Sequence, residues 1–173
     1  DYTADAEALV TRPRDVTDNA LPAGNSLAVE LLQRLAAVSG DVELARRAGF
    51  VLSSLSGAMA QHPLAFGHLL GAAEFEAHGA MSVAIAGHAD SREFVQLART
   101  VAQRYVPSLV LAGGTAGPPA LLDGKSEVQG RARAYLCRGF RCDSPTGEPT
   151  ELAAQLAGAI GSPAPGSSPG PSA

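Results

Sequence analysis

The chain has 173 residues, nearly half of them hydrophobic, which suffices for one ordinary domain with a sizeable core. A net charge of -4 and a pI near 5.5 argue against a nucleic-acid partner or an anionic membrane surface. No apolar run approaches the roughly 18 residues a spanning helix needs, and two cysteines make no disulfide framework, so the composition suits a cytoplasmic protein.

Residues 1–25 read as extended or looped, since Pro13 and Pro22 each disfavour helix at the residue before them. The segment Arg12 to Ser26 is polar and runs directly into the helical pattern Leu27 to Leu35, a plausible pocket wall ending at free helical N–H groups. Asn25 or Ser26 is the expected cap of a first helix, about 26–39, stopping near Gly40. Asp41 opens a second helix, about 42–60, with Leu44, Ala48, Val51, Leu55 and Met59 in one stripe and Glu43 and Arg47 on the opposite side. Pro63 fits the first turn of a third helix, about 63–77, whose apolar positions are Leu64, Phe66, Leu69, Leu70, Ala73 and Phe75.

The period then changes. Met81 to Gly87 is short, β-branched and bounded by glycine, so it reads as a buried strand. Asp90 with Glu93 resembles a capping box, and Phe94, Leu97, Ala98, Val101, Ala102 and Tyr105 follow at helical spacing. Ser108 to Ala112 is a second strand, and strand, helix, strand in about thirty residues favours parallel pairing. After a loop at 113–129, residues 132–140 read as a third strand, and Leu152, Leu156 and Ile160 mark a last helix. The tail contains only Pro, Gly, Ser and Ala, a composition that stays disordered.

Three passages together resemble one family. They are Thr3-Ala-Asp5-Ala-Glu7-Ala-Leu9 with Arg12-Pro13, then Asp18-Asn-Ala-Leu-Pro22-Ala-Gly24-Asn25-Ser26, and Ala134-Tyr-Leu-Cys137-Arg-Gly-Phe140-Arg-Cys142 before Pro145. All are similar to motifs of the thioredoxin-domain-containing, spermatogenesis-associated-protein-like family, and the resemblance runs from about residue 1 to 160. The resemblance implies an N-terminal thioredoxin-like domain followed by a six-hairpin glycosidase-like (α/α) barrel, of which this chain is the C-terminal part. Ala23 stands where the family usually has Ser, and His88 follows Gly87 where Asp is usual. The expected fold is therefore mainly α. Residues 1–79 form about three helices of an incomplete toroid, 80–161 a small β-α-β-β-α layer packed on it, and 162–173 a disordered tail. Because the chain begins with Asp1, we read it as a piece whose partners include the missing thioredoxin-like domain and barrel hairpins of the same protein. Such a piece leaves apolar helix faces without neighbours and is expected to be marginal or aggregation-prone alone.

Candidate chemistry concentrates near the N-terminus. Asp5, Glu7, Arg12, Asp18 and Asn25 are the expected substrate-binding residues, suited to sugar hydroxyls, and Asp18, Arg12 and His62 are the candidates for catalysis. Against this, loop capping and ion pairing with Arg12 or Arg14 account for the same carboxylates, because loop spacing fixes no carboxylate separation. His68 and His78 read as surface or interhelical residues. His88 lies at the carboxyl end of a parallel strand, where open α/β sheets place ligands. No metal site and no cofactor are expected, since no two histidines sit at i,i+4 with a third ligand. Cys137 and Cys142 lack the spacing of a thioredoxin-type pair, so apolar packing of both is the expectation, with a disulfide as the alternative should the chain turn at Gly139. Two functions stand: part of the pocket wall of a carbohydrate-active enzyme, or a non-catalytic scaffold coupled to the absent redox domain.

Overall fold

The computed structural model describes residues 15–115, 119–139 and 141–160. Three helices form the first layer: α1 (Gly24–Ser39), α2 (Val42–Gln61) and α3 (Gly67–His78). They meet on the side chains that helical spacing selects. Val29 of α1, Ala48, Leu52 and Met59 of α2, and Leu69 and Ala72 of α3 form one buried cluster with Phe66. Each large aliphatic side chain buried there contributes about 1.5–3 kcal/mol of transfer free energy.

The expected cap of α1 is corrected by the structure. The helix starts two residues earlier than the reading, and its N-cap is Ala23, which offers no side-chain acceptor. The carboxylate of Asp18 reaches back instead and accepts the N–H of Ala23 at 2.9 Å. The same carboxylate accepts the N–H groups of His68 at 2.9 Å and Leu69 at 3.1 Å. Those are donors of the first turn of α3, whose own N-cap, Phe66, has no side-chain acceptor. The predicted third helix also divides. Pro63–Phe66 is a 3-10 turn, and it leaves Leu64 almost fully exposed while Phe66 turns into the core.

The second layer is a four-stranded mixed sheet, β1 (Met81–Ala86), β2 (Leu109–Gly114), β3 (Arg133–Arg138) and β4 (Arg141–Cys142), in the order β2-β1-β3-β4. As the βαβ spacing implies, β1 pairs parallel with β2. β3 lies antiparallel on its other edge. All six residues of β1 are buried, because the central strand is covered on both faces. On one face α4 (Arg92–Ala102) and α5 (Pro149–Ile160) bury Leu97, Val101, Leu152 and Leu156 against Met81, Val83 and Ile85. The opposite face packs Ala84 with Ala112 and Leu122. Gly87, at φ +146°, ends β1 beside Ala132, and a Cβ there would stand 2.8 Å from the Ala132 Cβ.

Four expectations are corrected in this layer. The cap of α4 is Ser91, whose hydroxyl accepts the Phe94 N–H, and not Asp90, because the helix begins one residue later than the capping-box reading. Tyr105 lies beyond the end of α4 and is 90% exposed rather than part of its apolar face. The strand read at 132–140 breaks at Gly139, at φ +53°, and returns as β4. That reversal sets Cys137 and Cys142 opposite each other, where they form a disulfide. Separate apolar packing of the two thiols is thus replaced by a covalent link, since the turn cancels the odd spacing that otherwise puts them on opposite faces. The tail at 162–173 lies outside the described residues. The fold is mainly α with an appended α/β layer.

Candidate functional site

The two layers are joined by one polar cluster. Glu30 and Arg34 stand one turn apart on α1, and Arg34 Nε donates to Glu30 Oε1 at 2.8 Å. Arg34 then extends to the sheet, where its two terminal nitrogens donate to the carbonyls of Leu109 at 3.1 Å and Pro107 at 3.0 Å. Its guanidinium lies 5.7 Å from the centre of the Phe75 ring of α3, within cation–π range. The planar fork serves three acceptors at once, which a lysine ammonium at this position does not match in geometry.

The other oxygen of Glu30 meets His68 of α3, with Nε2 to Oε2 at 2.8 Å. Hydrogen bonding and charge from Arg34, with a further contribution from His68, outweigh burial and hold the Glu30 carboxyl below its ordinary value of 4.5. An ionised carboxylate only accepts, so Nε2 carries the proton in this contact. Nδ1 of His68 has no hydrogen-bond partner among the described residues. One turn beyond Glu30, the buried Gln33 donates to the Ala72 carbonyl at 3.0 Å and to Glu76 Oε2 at 2.9 Å. Its carbonyl oxygen is buried with no donor among the described residues.

These groups line a groove of about 360 Å³, with Tyr105, Val106 and Pro107 as the opposite wall. The volume falls at the lower end of the range for small-molecule sites, roughly 300–1,000 Å³. The arrangement presents a carboxylate, an oriented imidazole, a guanidinium edge and an exposed aromatic ring, which together suit hydroxyl-bearing ligands. Glu74 also lines it, on α3.

Of the residues nominated by sequence, the described ones, Asp18, Asn25 and His62, are not among the residues that line this groove. Asp5, Glu7 and Arg12 lie outside the described residues. Asp18 takes the capping role weighed beside the chemical one: its oxygens accept three backbone N–H groups. Burial works to raise its carboxyl, but the nearby Ser26 hydroxyl and the hydrogen bonds from the Ala23, Leu69 and His68 amides outweigh that and hold it low. Asn25 is exposed in the first turn of α1, and His62 is exposed at the C-cap of α2, so neither lines the groove. Glu30, Gln33 and Arg34 escaped the sequence reading. The available signals were the i,i+4 spacing of Glu30 and Arg34, and a glutamine on the buried stripe of α1 that begins at Val29.

Fold and groove together define a class: a mainly α unit with an appended α/β layer and an acid–imidazole–guanidinium cluster at the junction. The chain is similar to Spermatogenesis-associated protein 20 of Rattus norvegicus, 24% identical over 151 residues, or 83% of this chain and 19% of that protein. It spans about a fifth of the length of that relative. No family model matches the chain, and no solved structure matches it.

Proposed function

We propose that this chain is the C-terminal part of a longer protein and supplies one wall of a carbohydrate-binding pocket. In this reading residues 1–79 are the last helices of a six-hairpin glycosidase-like toroid, and 80–161 is the layer packed on it. The remaining hairpins and a thioredoxin-like domain belong to the rest of the protein. The observation that carries the reading is the groove in which Glu30 orients His68 and Arg34 presents its guanidinium, with Tyr105 on the facing wall. Sugar hydroxyls donate and accept at such groups, and an exposed aromatic ring such as Tyr105 offers a face to sugar C–H bonds. Calorimetric titration of the full-length gene product with soluble gluco- and manno-oligosaccharides tests it. At least one series is expected to bind, with affinity falling about tenfold or more in His68→Ala. Absence of binding by every series, or equal binding by wild type and His68→Ala, sinks this reading.

A second reading, a non-catalytic scaffold, is favoured by a different observation. Leu27, Leu31 and Leu35 form an i,i+4,i+8 stripe on α1 and are 49%, 58% and 45% exposed. A helix apolar on two faces packs against two layers, so this stripe suits a docking face for other parts of the protein. Deletion of the thioredoxin-like domain is then expected to abolish the cellular phenotype while His68→Ala leaves it intact. The opposite pattern excludes the scaffold.

A further inference from the structure

We propose that Cys137 and Cys142 form a thiol–disulfide exchange site, opened by a dithiol reductant that attacks Cys142. The two sulfurs differ in access. Cys137 is 4% exposed on a strand paired along both edges, whereas Cys142 is exposed on a two-residue strand at the edge of the sheet. Attack of a thiolate needs an open approach to the sulfur, so Cys142 Sγ is the electrophile and Cys137 the leaving group. In the first step the reductant thiolate bonds to Cys142 Sγ, the sulfur–sulfur bond breaks, and Cys137 departs as a thiolate that takes a proton. In the second, the reductant's other thiol, as thiolate, attacks its own sulfur in the mixed disulfide and releases Cys142. Two electrons and two protons pass to the cysteine pair, and the reductant is left as a disulfide.

Other interactions hold the backbone around the pair. Directly after Cys142, the N–H of Asp143 donates to the Leu136 carbonyl, and Thr146 exchanges both backbone bonds with Ala134. Leu152 and Leu156 of α5 are fully buried against the sheet. A bond closing so short a loop also removes little entropy from the unfolded chain compared with a long one. What the disulfide controls is local: the turn at Gly139 and the pairing of β4 with Cys137 and Arg138. Reduction therefore releases the pairing of Arg141 and Cys142 with β3 and leaves the rest of the sheet paired.

The test uses the native, oxidised protein. Reduced glutathione followed by iodoacetamide, read by peptide mass spectrometry, is expected to place glutathione on Cys142 and the alkyl group on Cys137. Millimolar dithiothreitol is expected to open the bond without denaturant, to raise amide exchange at Arg141 and Cys142 severalfold, and to leave exchange at Ala134 and Thr146 unchanged. In the single variants, glutathione disulfide is expected to modify Cys142 in Cys137→Ser at least tenfold faster than Cys137 in Cys142→Ser. The proposal is overturned if the adduct forms on Cys137, if the bond resists dithiothreitol until the protein unfolds, or if opening it unfolds the sheet. It is also overturned if oxidised glutathione fails to form the bond.

Discussion

Asp18→Ala separates a structural from a chemical role most sharply. The substitution removes the acceptor of three backbone N–H groups at the start of two helices. Losing a helix cap costs about 0.5–2 kcal/mol, and a partly buried donor left unpaired costs on the order of 1–3 kcal/mol. Two helix starts depend on this residue, but water reaches part of the site, so we expect a loss of about 2–4 kcal/mol. For a chain of this size that lowers Tm by about 4–16 °C. Asp18→Asn keeps one acceptor oxygen and is expected to lose about half as much. The pH dependence has a definite sign. The folded carboxyl lies below its ordinary value of 3.8, so the stabilisation is complete above that value and is lost as pH falls through the lower, folded one. Asp18→Ala is therefore expected to flatten the acid limb of the stability profile. Urea unfolding followed by circular dichroism between pH 2 and 7 measures both effects. An Asp18→Ala protein within about 0.5 kcal/mol of wild type at pH 7, or one with an unchanged acid limb, refutes the capping account.

Ala23→Ser restores a hydroxyl at the N-cap of α1, where the backbone is already extended, and is expected to stabilise by about 0.5–2 kcal/mol in the same unfolding assay. Leu97→Ala, fully buried under the sheet, is expected to cost about 2–5 kcal/mol, whereas Leu64→Ala, almost fully exposed, leaves the denaturation midpoint unchanged. Replacing Leu27, Leu31 and Leu35 together by lysine is expected to reduce self-association of the isolated chain in sedimentation velocity while leaving its helical content intact, since all three are exposed.

How much of this was legible in the sequence follows from the range of each interaction. The bodies of α1, α2 and α4 and the parallel pairing of β1 with β2 are set by apolar period and by the short crossover, both local signals. The 3-10 turn at Pro63–Phe66 escaped because Leu64 and Phe66 both satisfy a helical period, and only packing decides which is buried. Loop capping by Asp18 is legible as a type of role, but its partners are not, since two of its donors lie 50 and 51 positions away at the start of α3. The cluster at the groove was hidden for the same reason. Glu30 and His68 are 38 positions apart and meet only because α1 packs on α3. The cysteine pair depended on a single positive φ at Gly139, which spacing alone does not reveal.

The proposed pocket is the groove beside α1 and α3, whose helix starts Asp18 caps and which His68 lines. An NMR titration of the full-length gene product, isotope-labelled, with an oligosaccharide tests that directly. Amide shifts are expected to cluster at Glu30, Gln33, Arg34, His68 and Tyr105, and in His68→Ala to need about tenfold more ligand or more while the rest of the spectrum is preserved. Shifts that cluster elsewhere, or none at saturating ligand, contradict it.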